Sequence, residues 1–148
     1  MKKVFDVHVK LQRQAETIEV IRNLTLNRNK PHMGLKGSNG LYASHEWWAS
    51  IESGKMPTKL VAGVITRAYH AGQGDTGPDN MADILTHEGS IQSIGIEVND
   101  PEDAKLFRVG QSVEVVYALD ELKKRAPDGS PTYSKVTLSV SVSNPLSD

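Results

Sequence analysis

Residues 58–70 read TKLVAGVITRAYH. Leu60, Val61, Ala62, Val64 and Ile65 put apolar side chains on both parities, the pattern of a strand covered on both faces and therefore central in its sheet. Further strands follow. NMADILTH (80–87) and SIQSIGIEV (90–98) are joined by a tight turn around Glu88-Gly89. VGQSVEVVYAL (109–119) alternates Val113, Val115, Tyr117 and Leu119. YSKVTLSVSVS (133–143) places Val136, Leu138, Val140 and Val142 on one face. Between them, NDPEDAKLF (99–107) offers Asp100 as a cap and Pro101 as a first helical residue, which predicts a short helix over 101–107. DELKKRAPDGSPT (120–132) reads as a charged connection.

Upstream, VFDVHVKL (4–11) alternates Phe5, Val7, Val9 and Leu11 with polar residues, and IEVIRNLTL (18–26) carries Ile18, Val20, Leu24 and Leu26 on one parity, interrupted by Arg22. With the polar stretch QRQAET between them, residues 1–27 read as an N-terminal β-hairpin. Residues 28–43 form a loop rich in Asn, Gly and Lys, and a helix follows over 44–53, with Ser44 as its N-cap and Gly54 at its left-handed C-terminus. The expected fold is mostly β, with two short helices. It is a small single domain whose core, residues 58–143, follows the element order of an OB-like or split SH3-like barrel, or of a sandwich, extended by the N-terminal hairpin.

The chain is 148 residues long with no cysteine, which removes disulfides, thiolate catalysis and Cys-based metal centres. No apolar run approaches the roughly 20 residues of a membrane span, and the N-terminus MKKVFDVHVK lacks the continuous apolar stretch of a secretory signal. The expectation is a cytoplasmic protein with no membrane association. The net charge of −1 hides an asymmetry: Lys and Arg crowd residues 2–36, whereas residues 71–104 contain neither and carry eight carboxylates. Such segregation steers partners or favours self-association. If the two segments are neighbours, the charges simply cancel.

GLYASHEWWASIESGK (40–55) holds both tryptophans. Trp47, Trp48 and Ile51 share one helical stripe about 100° wide, which favours an inward-facing core plug over a ligand-stacking platform. His45 stands at the helix start, beside the two tryptophans. The glycines at 34, 37 and 40, with Arg28, Lys30, His32 and Lys36, are the elements of an anion cradle, but the Gly-Lys-Ser/Thr end of a phosphate loop is missing. Asp75 and Asp79 lie in a Gly- and Pro-rich loop without calcium-loop spacing. The candidate ligand-binding residues are thus Trp47, Trp48, His45, Lys36, Arg28, Lys30, Asp75 and Asp79, with no metal site and no cofactor expected.

No nucleophile motif is present. Strands 80–98, the face an OB barrel offers to nucleic acid, hold no Phe, Tyr, Trp, Lys or Arg. The leading expectation is a non-catalytic module that binds a protein or peptide, itself included, through sheet edge, and that forms a homo-oligomer. A nucleic-acid-binding OB-like protein is the second reading, and a small enzyme with a carboxylate/His site the third.

Overall fold

The computed structural model describes residues 1–72 and 77–143. Its six strands are β1 (Lys2–Asp6), β2 (Thr58–Tyr69), β3 (Met81–Thr86), β4 (Ile91–Gly95), β5 (Ser112–Arg125) and β6 (Pro131–Val142). They form one antiparallel sheet in the order β1-β6-β5-β2-β3-β4. Among the described residues three helices accompany it, α1 (Val7–Arg13), α2 (Ala15–Leu26) and α3 (His45–Ser53), with a 3-10 turn over Pro101–Leu106. The mostly β class and the element order after residue 58 are as the sequence indicates. The sheet stays open, however, rather than closing into a barrel. The outer side of β6 is taken by β1, with Lys2 opposite Val142 and Phe5 opposite Val140, so β1 and β4 are left as the two edges.

The N-terminal hairpin is a correction. Only Lys2–Asp6 is strand, and residues 7–26 are two helices. The Asp6 carboxylate accepts from the His8 backbone N–H at 2.9 Å and so supports the first helical turn. Val7 and Leu11, spaced i,i+4, are both buried, which suits a helix as well as their shared parity suits a strand. In α2 the half-buried positions are Thr17, Ile18, Ile21, Arg22, Leu24 and Thr25, spaced as one helical face, while Val20 and Leu26 stand exposed. Arg22, which interrupts the strand pattern, fits the helix: its Nε donates to the Tyr42 carbonyl at 2.8 Å.

Two compact units make up the chain. The first comprises Met1–Val9, Leu60–Val116 and the described residues from Leu138 onward. Its core is built from inward-facing residues of the sheet, among them Phe5, Ile65, Ile84, Val113 and Val140. Gly63 is required where β2 meets β3, because a Cβ there would lie 2.3 Å from the Leu85 carbonyl oxygen. The β3–β4 turn contains Gly89 at φ 86°, as a tight turn at Glu88-Gly89 demands. Lys2 Nζ meets Asp103 at 2.8 Å, one point at which the basic N-terminus offsets the acidic segment; that carboxylate raises the lysine's pKa above its usual value.

The second unit comprises Lys10–Lys59 and Tyr117–Thr137. Strand β5 organises it. Trp47 Nε1 donates to Asp120 Oδ2 at 2.8 Å, and Lys36 N–H donates to the Glu121 carbonyl at 2.9 Å. Leu35 forms an isolated bridge with Leu122, and Lys123 N–H donates to the Gly34 carbonyl at 3.0 Å. The charged connection read at 120–132 is therefore strand as far as Arg125, followed by a hairpin turn in which Gly129 N–H donates to Ala126 at 2.8 Å.

Candidate functional site

Ser44 caps α3 as expected, its hydroxyl accepting from Trp47 N–H at 3.3 Å, and Gly54 ends the helix at φ 82°. This fixes the indoles. Trp47 is fully buried, with Tyr42 edge-on at 5.1 Å and Trp48 edge-on at 4.8 Å. Its N–H is spent on Asp120, whose burial pushes that carboxyl's pKa up, opposed in part by the tryptophan's hydrogen bond. Trp48 is half-buried. Trp47 is thus core and offers no face on which a ligand can stack.

The remaining candidates do not converge on a pocket. His45 is exposed at the start of α3. Lys36 pairs with Glu121 at 3.1 Å. Arg28 and Lys30 are exposed, and the backbone around them is held from β5: Lys123 Nζ donates to the carbonyls of Leu24 at 2.7 Å and Lys30 at 3.0 Å. One carbonyl of the loop over 28–43, that of Lys30, thus faces a lysine. Asp79 is exposed, and Asp75 lies outside the described residues. A groove of about 490 Å³ runs along α2 and is lined by Ile18, Arg22, Leu26 and Leu41, with none of His45, Lys36, Arg28, Lys30 or Asp79 on its wall. Among the described residues, no three His, Asp or Glu side chains gather as metal ligands would.

The face with the makings of a site lies in the first unit, on the outer side of β2, β3 and β4. Antiparallel register sets Val64 opposite Leu85, and Leu85 opposite Ile91. These three are 40%, 43% and 57% exposed, an apolar row crossing three strands in open solvent. The next row along is polar, with Arg67 opposite Asp83 and Asp83 opposite Ser93. Asp83 Oδ1 accepts from Ser93 Oγ at 2.7 Å and from Tyr69 OH at 3.2 Å, and the Arg67 guanidinium lies 4.2 Å from the Tyr69 ring centre. That network fixes an aromatic and a cation beside the apolar row. An exposed apolar stripe with ordered polar neighbours suits a protein partner. The sequence carried the signal, since Val64, Leu85 and Ile91 lie on the parity opposite the buried Ile65, Ile84 and Ile94. Finding them, however, requires the register that aligns them.

The class this defines is a protein-binding module. Over residues 1–143 the sequence matches the family described as Immunity protein RhsI2, and the chain belongs to that family. No curated protein matches it.

Proposed function

We propose that this chain neutralises a toxin polypeptide by binding it, and that the outer face of β2, β3 and β4 makes the contact. Family membership supports the toxin as partner. The observation that carries the choice of face is the in-register row Val64–Leu85–Ile91, exposed on a sheet whose opposite side is packed. Apolar area of this kind gains from leaving water, and Arg67 and Tyr69 beside it are residue types that dominate interface energetics. Because Asp83 already holds Tyr69 in place, little side-chain freedom is lost on docking.

The test is co-production of the cognate toxin and this chain in bacteria, with growth as the readout, followed by isolation of the complex. Growth restored by the chain, together with co-elution of the two purified proteins, is the expected result. Continued killing by an active toxin while the chain accumulates in soluble form would overturn the proposal.

A further inference from the structure

We infer that an extended, cationic segment of the toxin joins β4 as an additional strand. The inference rests on the toxin-binding reading above and goes further, naming the edge used and the chemistry of what occupies it.

The backbone shows which groups are open. Thr86 N–H donates to Ser90 and Ile96 N–H to Asn80, both at 2.9 Å. Antiparallel pairing alternates, so Ser90, Gln92, Ile94 and Ile96 direct their backbone groups toward β3. Ile91, Ser93 and Gly95 direct theirs outward, and β4 is the last strand on that side. The opposite edge is treated differently. Asn99 N–H donates to the Val4 carbonyl at 2.9 Å, and Asp6 N–H donates to Asn99 Oδ1 at 2.7 Å, so part of β1 is covered. β4 also lacks the usual protection of an edge: IQSIG contains no charge and no proline. Side chains of an incoming strand would continue the row Val64–Leu85–Ile91 on the exposed face.

Charge selects the occupant. Residues 71–104 contain no Lys or Arg, and Glu88 and Glu97 flank β4 on either side. A second copy pairing antiparallel about Ser93 would set its Gly89 opposite Glu97, and hence its Glu88 one residue away, which is unfavourable for like charges. A strand bearing Lys or Arg meets a segment of uniformly acidic charge, with Glu88 exposed at one end of β4.

The test uses the purified chain and the purified cognate toxin in an inactivated form. Proline is tolerated where the backbone N–H points away from the ladder, so Ser93→Pro removes one outward donor and obstructs addition. Ser93→Ala removes only the hydroxyl bonded to Asp83. Ser93→Pro is expected to weaken toxin binding by about tenfold or more while Ser93→Ala stays within about threefold. Hydrogen exchange on the wild-type chain, which needs no variant to fold, should show the Ile91 and Ser93 amides slowed on adding toxin, and binding should weaken as salt rises. Wild-type affinity in a folded Ser93→Pro variant, or unchanged exchange at those amides, would overturn edge addition and leave toxin binding intact. Salt-independent binding would overturn the cationic occupant. Protection of β4 in a toxin-free dimer would identify a second copy as the occupant instead. Failure of the wild-type chain to bind toxin at all removes the underlying reading, and this inference with it.

Discussion

Trp47 and Asp120 form a buried donor–acceptor pair at 2.8 Å, and the carboxylate's second oxygen has no hydrogen-bond partner among the described residues. Burial raises the Asp120 pKa, so the folded chain holds this proton more readily than the unfolded chain does. The linkage sign follows: stability is greatest below the ordinary aspartate range and falls as pH rises from there through the raised folded-state pKa. Relative to Asp120→Asn, the wild type should therefore lose stability as pH climbs across that window, then level off. Urea denaturation at a series of pH values checks this, and a relative gain with pH would contradict it.

Ser44→Ala removes the acceptor for Trp47 N–H at the start of α3. Loss of such a cap costs about 0.5–2 kcal/mol. Ser44→Asp, which keeps an acceptor at the cap, should restore most of it. Thermal melts of the three proteins give the comparison.

Gly63→Ala places a methyl group 2.3 Å from a backbone oxygen of β3, which no side-chain rotation relieves. The expected cost is about 1–3 kcal/mol, the range for overpacking a tight interior. Chemical denaturation measures it, and local widening should also speed amide exchange in β3.

Lys123 Nζ reaches the carbonyls of Leu24 and Lys30, with Asn27 at 3.4 Å, and so neutralises the C-terminal end of α2. Lys123→Met keeps the aliphatic stem and loses the donors. Hydrogen bonds to a charged group contribute about 1.5–3 kcal/mol, so a loss of that order is expected. Faster hydrogen exchange confined to residues 24–36 would locate the effect.

Leu85→Lys alters an exposed position, where stability usually changes by less than about 0.5 kcal/mol. At the centre of the proposed interface, against a cationic partner, it should weaken toxin binding by about tenfold or more. Calorimetry with the inactivated toxin, beside a melt of the variant alone, separates the two effects.

Strands β2, β3, β4 and β6 were legible because single-parity burial or a continuous apolar run marks them without reference to neighbours. β5 was half legible. Its buried set runs Val113, Val115, then Ala118 and Asp120, so the inward parity changes midway and the second half resembles a charged linker. Asp120 hid for the same reason: a carboxylate inside the core is anticipated only when the indole that bonds to it is known. The N-terminal helices are not legible because Val7 and Leu11 satisfy both periods, and Arg22 breaks a strand pattern while its role as donor to Tyr42 depends on the fold. The outer apolar row involves three strands at once, and no local pattern reveals a cross-strand alignment.

The two borders of the sheet are unequal: Asn99 is fastened along β1, whereas at the other border β4 is the outermost strand. Asn99 thus obstructs part of the β1 border, which favours strand addition at β4. Edge addition at β4, as proposed, predicts a one-to-one complex with the toxin, and sedimentation of the mixed proteins checks it.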